Sequence, residues 1–490
     1  MKKLNKTVIT SFVLAMSAST ALAQSMTLND VITKTLETHP EYKQSEQLVE
    51  SARQGIVQAK AGYLPKVDVA LGAGYERVEN QSTISRQTAS PSRSDHADSD
   101  RKEASLTITQ MVFDGFATPA RVEQARADLE NQMSYSKEIA EKVAVLAARA
   151  YYDVVREQTN LVIDEQNLAM HKNYQSQIQR RVRSGKSNRA DLEQVNSRVA
   201  LAESKVVQRM ELVEQAKAEF FRQVGVEANE LAANEVDFSI VPSSLEEAIE
   251  IAYAANPRLQ SVTHAKKSAE SSIKEAKAAY MPRVDLEMSA TRNQNVDGVD
   301  KKDHSEQAML RMRYNLFNGG ADKARHLASI AEDQAAEQNL EDTKRAVARD
   351  VRAAWFEYQL TTKRLASLTA QVKAAKATKI AYKSQFDVGQ RTLLDVLDSE
   401  REYNSARTTF ESARNSRDYS VYQLLSLMGK LTDTFADKEV VLAEEDFELI
   451  DPETNEVAAK AEAEVTLEED EKTLTKSDEM SLIEALDAIQ

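Results

Sequence analysis

Hydrophobic and polar positions along the chain change period in a fixed order, and they do so twice. Arg258 to Ala279 contains no Gly or Pro, is opened by Asn256-Pro257 and is stopped by Pro282, which predicts a helix. Beyond Pro282 the period falls to two: Val284, Leu286, Met288 and Ala290 alternate with Asp285, Glu287, Ser289 and Thr291. That alternation predicts a strand with one apolar and one polar face. Val67, Val69, Leu71, Ala73 and Tyr75 alternate in the same way with Asp68, Ala70, Gly72, Gly74 and Glu76. Return strands are read in Leu106, Ile108, Gln110 and Val112, and in Ala308, Leu310, Met312 and Tyr314, with Arg311 and Arg313 on the opposite side. The pattern predicts strands over about 66–77, 104–113, 283–292 and 306–316, arranged as two hairpins.

After each hairpin comes a very long run free of Gly and Pro, Ala120 to Ser184 and Ala321 to Val388. As one helix the second run would be roughly 100 Å long at 1.5 Å per residue, too long for a single globular domain. Gly185 and Gly389 interrupt these runs, and each is followed by a further helical stretch ending before Gly225 or Gly429. The expected helices are about 119–184 and 187–224 in the first half, and about 321–388 and 390–428 in the second. They are rich in Ala, Lys, Glu, Gln and Arg, with apolar residues at three- and four-residue steps such as Leu393, Val396 and Leu397, a coiled-coil composition. Gly185 and Gly389 are therefore expected at the turns of two antiparallel helical hairpins.

The two halves align on each other. Leu28, Pro40 and Pro65 match Leu245, Pro257 and Pro282 at an offset of 217 residues. Phe113-Asp-Gly, Tyr151-Tyr152, Gly185, Asp191 and Gly225 match Phe317-Asn-Gly, Trp355-Phe356, Gly389, Asp395 and Gly429 at an offset of 204. The change of offset falls in the Ser- and Thr-rich connection Asn80 to Ser92, which is expected to be a surface loop. A duplicated unit of short helix, β-hairpin and long helical hairpin follows, with boundaries 24–241 and 242–436.

Composition adds compartment and attachment. Lys2, Lys3 and Lys6 precede an uncharged run from Val8 to Ala18 that ends in Ala21-Leu22-Ala23, the pattern of a secretory signal peptide over residues 1–23. No later window is apolar for long enough to span a bilayer as a helix, so membrane entry would require a β-barrel. Cysteine is absent, which removes thiol chemistry and the acylated cysteine of lipoproteins. The net charge of −15 is uneven: residues 437–490 hold 19 acidic against 4 basic residues, leaving residues 24–436 near −3 once the leader is removed. The tail at 437–490 is expected to be solvated and disordered, and Met480 to Ile489 repeats apolar residues at helical spacing as a weaker candidate for a partner-binding segment.

Catalytic and nucleic-acid chemistry find little footing. The six histidines, at 39, 96, 171, 264, 304 and 326, form no pair at metal-binding spacing. Gly185-Lys186-Ser187 looks like the end of a phosphate loop, but Arg180 occupies the position of the earlier glycine. A near-neutral body with an acidic tail is a poor polyanion binder. No enzyme activity, cofactor, required metal or nucleic-acid partner is expected.

Four strands cannot close a membrane barrel, since spanning barrels begin at about eight. Subunits would have to pool them. Taken with the duplicated Tyr-Leu/Met-Pro, the Phe-Asp/Asn-Gly pair and Phe386-Asp-Val-Gly389-Gln-Arg-Thr-Leu-Leu-Asp395-Val-Leu-Asp398, the sequence resembles the TolC family of outer-membrane efflux proteins over residues 25–435. The resemblance implies an α+β, mainly α channel-tunnel: a homotrimer sharing a 12-stranded barrel in outer-membrane lipid and an α-helical barrel in the periplasm. It implies a passive conduit for type I protein secretion or small-molecule efflux, opened at its periplasmic end by an adaptor and by an inner-membrane ABC or proton-driven transporter. The missing lipoprotein cysteine leans towards type I secretion. A multidrug efflux component, a periplasmic coiled-coil scaffold and a membrane-fusion adaptor are the competing readings.

The resemblance also assigns residues. Asp191, Phe386 and Arg391 match a polar network that holds the periplasmic gate closed, although a tyrosine is usual where this chain has Phe386. Asp395 and Asp398 match positions that form acidic rings at the entrance when repeated by threefold symmetry, a place where cations could block.

Overall fold

The computed structural model describes residues 25–435 except 93, 233 and 298–300. The expected leader and acidic tail lie outside the described residues. Helices α1 (Leu28–Thr38) and α2 (Pro40–Lys60) lead into β1 (Lys66–Val78), a short helix α3 (Gln81–Ala89) and β2 (Ala97–Phe113), followed by α4 (Ala117–Arg183) and α5 (Arg189–Val224). The order then repeats as α6 (Leu245–Ala255), α7 (Pro257–Ala278), β3 (Arg283–Gln294), β4 (Lys302–Arg313), α8 (Ala321–Asp387) and α9 (Leu393–Leu427), closed by α10 (Leu431–Phe435).

Corresponding elements share their lengths and their ends. Both α4 and α8 have 67 residues, and α5 and α9 have 36 and 35. His39 Nδ1 accepts the Glu41 N–H ahead of Pro40, as Asn256 Oδ1 accepts the Leu259 N–H ahead of Pro257. A Pro in the first helical turn loses no bond there, which is why both helices tolerate it. The Phe-Asp-Gly motif also finds a cause: Asp114 Oδ2 accepts from the Thr118 N–H at 2.8 Å and hydroxyl at 2.6 Å, starting α4. Gly115 turns there with φ +71°, and a Cβ on it would lie 2.7 Å from the Ala278 carbonyl. Only glycine fits.

Three local features differ from the sequence-based expectation. The Ser/Thr-rich connection carries α3, started by Asn80 and Thr83, whose side chains each accept the other's backbone N–H at 3.0 Å. β2 begins at Ala97, because its polar first residues pair by backbone with β1 out to Val78↔Ala97. β4 runs from Lys302, four residues ahead of its expected start, and stops at Arg313, where Asn315 Oδ1 accepts the Phe317 N–H at 3.1 Å and bends the chain, so Tyr314 and Leu316 lie beyond the strand.

The strands form one antiparallel sheet in the order β1-β2-β3-β4. Below it, α5 packs on α4 and α9 on α8, while α7 sits between α4 and α8, and α9 also touches α4. The main core gathers Leu28, Ile32, Tyr151, Tyr152, Phe220, Val351 and Leu424 midway along the long helices. Tyr152 stacks on Tyr422 at 5.9 Å, and Asn234 Nδ2 donates to both hydroxyls at 2.8 Å. A second cluster near the hairpin turns joins Tyr174, Ile178, Val195, Val199, Phe386, Leu393, Val396 and Leu397. No helix among the described residues is long and apolar enough to cross a membrane.

Candidate functional site

Register decides what the sheet can do. Residues directly opposite in an antiparallel pair share a face. Val69↔Leu106, Leu106↔Ala290, Ile108↔Met288, Leu286↔Leu310 and Val284↔Met312 therefore extend one apolar face across all four strands. That face is not covered: Val69, Leu71, Leu310 and Met312 are 67%, 79%, 68% and 66% exposed. The opposite face carries Thr107, Thr109 and a charge network. In it Arg311 Nε meets Glu287 at 2.6 Å, Arg313 Nη1 meets Asp285 at 3.0 Å, and Arg283 Nε meets Asp285 at 2.9 Å. At the helix end of the sheet the aromatic residues Tyr63, Phe116, Tyr280, Tyr314 and Phe317 are exposed together, as in the girdles at membrane interfaces.

Both outer strands, β1 and β4, end the sheet with an unpaired edge among the described residues. Naked edges are intolerable in lipid. A wall that is greasy on one side, charged on the other and open at both edges is a segment of a channel.

At the far end of the long helices the two hairpin turns are near copies. Gly185 and Gly389 have φ +73° and +83°, and their N–H groups donate to Val182 O and Phe386 O at 3.0 Å. The next residues, Lys186 and Gln390, reach Arg181 O and Gln385 O at 2.8 Å, which satisfies the last carbonyls of each helix. Asn188 and Asp191 then form a capping box at the start of α5, and Thr392 and Asp395 do the same for α9.

Each residue singled out from the sequence has a definite place. Asp191 Oδ2 accepts the Ser187 hydroxyl at 2.6 Å, and its own N–H donates to Asn188 Oδ1 at 2.7 Å. Asp395 Oδ2 accepts the Thr392 hydroxyl at 2.8 Å, and the Thr392 bonds hold its carboxyl below the usual range. Asp398 lies 3.7 Å from Arg198 of α5 and 3.4 Å from Arg401 of its own helix. Phe386 is buried, and the Arg181 guanidinium of the other hairpin sits 4.5 Å from its ring centroid. Arg391 Nε donates to Gln385 Oε1 at 2.9 Å, and its guanidinium lies 4.1 Å from the Tyr382 ring centroid. Among the described residues no ion pair within 4 Å joins Asp191 to Arg391; the nearest carboxylate to Arg391 is Asp395 at 3.9 Å. The structure thus brings Phe386 and Arg181 together across the hairpins, and leaves Asp191 and Arg391 each within its own.

Two participants escaped the sequence reading. Tyr382, one helical turn before Phe386, is the aromatic partner of Arg391. Glu400 is buried between α8 and α9, where Lys379 Nζ meets it at 2.8 Å. Burial pushes the Glu400 carboxyl up, and Lys379 opposes that. The signal for Glu400 was present, since Leu393, Val396, Leu397, Glu400 and Asn404 share one helical stripe.

Greasy sheet, aromatic girdle and 67-residue helices define a class, the membrane channel extended by a helical stalk. A family model described as outer membrane efflux protein matches residues 31–226 and 248–430, and the chain belongs to that family. The outer membrane efflux protein BepC of Brucella suis is 22% identical over 411 residues, 84% of this chain and 87% of that protein. The alkaline protease secretion protein AprF of Pseudomonas aeruginosa is 24% identical over 421 residues, 83% of this chain and 85% of its own length. The fold is that of the solved CusC structure, with a TM-score of 0.71 at 16% identity, covering 84% of this chain and 95% of CusC. The chain is an outer-membrane export channel protein of a passive, non-enzymatic family.

Proposed function

We propose that three copies of the chain assemble edge to edge, closing a 12-stranded barrel from their four-stranded sheets and continuing it as a helical tunnel. The observation that carries this reading is the exposed apolar face running to two unpaired edges, β1 and β4. The helical flanks agree: α5 exposes Val207 and Phe221, and α8 exposes Leu360 and Ile380, so each side of the layer offers apolar residues to a neighbouring copy. In this arrangement Asp191, Phe386 and Arg391 belong to the gate, the turns at Gly185 and Gly389 form its rim, and copies of Asp395 and Asp398 face one another as acidic rings. An adaptor and an inner-membrane transporter, ABC or proton-driven, dock at the turns and open them. The duplicated halves 24–241 and 242–436 are the structural units of this assembly.

The cargo is a secreted protein. The Pseudomonas relative is named for alkaline protease secretion, which supports that choice over small-molecule efflux. Purified protein in detergent should migrate as a trimer on gels without heating and as a monomer after it. A detergent-free monomer would refute the assembly. Deleting the gene should remove one or a few large proteins from the culture medium; unchanged secretion with new drug sensitivity would transfer the assignment to efflux.

A further inference from the structure

Above the hairpin turns, α4, α5 and α9 line a cavity of about 460 Å³ that opens to the surface, and its lining is markedly cationic. Arg198, Lys205, Arg209 and Arg401 line it, against the single carboxylate Asp164. Arg209 is already committed, with Nη1 2.6 Å from Glu157 and Nε 3.0 Å from Asp164. Arg198 and Arg401 share only Asp398, at 3.7 and 3.4 Å, distances that leave most of their N–H donors unused. Among the described residues Lys205 makes no ion pair within 4 Å.

An independent observation points the same way. His171, on the α4 wall, is 7% exposed, and its Nδ1 has no hydrogen-bond partner. Buried polar atoms are rarely left unpaired, and one that lines a cavity calls for a ligand or water there. Burial holds the pKa of the ring down, and the charges of Arg198 and Lys205 add to that. Asn404 Nδ2 donates to Asn167 Oδ1 at 2.6 Å, so the Asn167 amide N–H₂ remains as a further donor at the cavity wall.

We propose that this cavity is a binding site for a multiply charged small oxyanion, held by Arg198, Lys205 and Arg401 and oriented by His171 and Asn167. Guanidinium groups match carboxylate and phosphate oxygens in pairs of donors, and an ammonium adds a point charge. The volume suits a tricarboxylate or a pyrophosphate group. The ligand bridges α5 and α9, one helix from each hairpin, and so ties the two hairpins together above the turns.

Titration calorimetry on the full-length protein in detergent, at ionic strength held constant with sodium chloride, tests the site. Pyrophosphate and citrate are titrated in separate arms, which distinguishes phosphate from carboxylate chemistry. One saturable site per chain is expected in at least one arm, weakened about tenfold or more in Lys205→Gln and in Arg401→Gln. Lys205→Arg should retain binding, and Lys172→Gln, whose lysine pairs with Glu203 at 2.9 Å outside the cavity, should leave it unchanged. Melting temperature and elution volume identify any variant that has failed to fold, and Lys205→Arg then serves as the folded comparison. No saturable heat with either anion, or equal affinity in folded Lys205→Gln and wild type, would overturn the proposal.

Discussion

Arg391 holds its guanidinium 4.1 Å from the centroid of the Tyr382 ring, while Phe386, one turn further on, is covered by Arg181 at 4.5 Å. Two cations thus face two aromatic rings on successive turns of α8, one contact within a hairpin and one between hairpins. A cation over an aromatic face contributes about 0.5–1 kcal/mol when exposed. The inter-hairpin contact is the one that opposes separation of the turns. Arg181→Ala is expected to shift a closed tunnel towards open by about two- to fivefold, the equilibrium equivalent of that energy. Single-channel recordings check this: more frequent or larger openings in Arg181→Ala, and near wild-type behaviour in Arg391→Lys. Equal behaviour of Arg181→Ala and wild type would remove Arg181 from the gate.

Glu141 of α4 is 3% exposed, and its Oε1 accepts the Thr432 N–H at 3.0 Å and hydroxyl at 2.7 Å, tying α10 to the main core. Burial raises its pKa from 4.5 to about 7, against the opposing Thr432 bonds. A carboxyl with a raised folded pKa contributes stability that is full below its unfolded value near 4.5 and lost as the pH rises through about 7. The loss is at most about 3.4 kcal/mol. Wild-type melting temperature is therefore expected to fall between pH 5 and pH 7.5, to a degree that Glu141→Gln abolishes. A variant with the same pH slope as wild type would show that another group titrates.

Much of this architecture is legible from period alone, because a two-residue alternation and a glycine-free run of some sixty residues each admit few structures. Val284 to Ala290 and Leu310 to Met312 needed no contact information to be placed on one face, and register only confirmed which strands they meet. The helix α3 was hidden because Asn80 and Thr83 make their exchange from residues equally common in loops. The proposed gate residues were harder still. Asp191 and Asp395 look like free acids in a string of letters, yet both are spent on the caps of their own helices. Tyr382 was passed over because its meeting with Arg391 spans a turn whose geometry depends on Gly389.

The turn glycines invite a direct comparison. At Gly389, φ is +83° and an added Cβ would meet nothing within 4 Å. Gly389→Ala should therefore cost only the left-handed backbone penalty, about 1–2 kcal/mol. At Gly429, φ is +68° and a Cβ would lie 2.4 Å from the Ala255 carbonyl and 2.8 Å from Pro257 Cδ. There the penalty comes on top of a collision with backbone that cannot move aside. Gly429→Ala should destabilise the protein severely, seen as loss of folded protein or a melting temperature far below that of Gly389→Ala. Equal melting of the two variants would mean that the α6–α7 junction yields more readily than its packing implies.

In the proposed trimer, a ring of Asp398 carboxylates would be muted by its own subunit. Arg198 and Arg401 lie 3.7 and 3.4 Å from it, and Asp395 is bonded to Thr392. Three copies would then face one another with much of their charge offset, and a trivalent cation such as hexamminecobalt should block the pore only weakly. Exposed pairs of this kind contribute about 0.2–1 kcal/mol each, so releasing Asp398 by Arg401→Gln should strengthen block by about 1.4- to fivefold per subunit. Asp398→Asn should abolish what block there is, while Asp395→Asn should chiefly loosen the start of α9. Block measured on wild type, Arg401→Gln and Asp398→Asn in planar bilayers separates the possibilities. If Arg401→Gln leaves block unchanged while Asp398→Asn removes it, the arginine does not screen the ring and the pair at 3.4 Å is without electrostatic consequence in the pore.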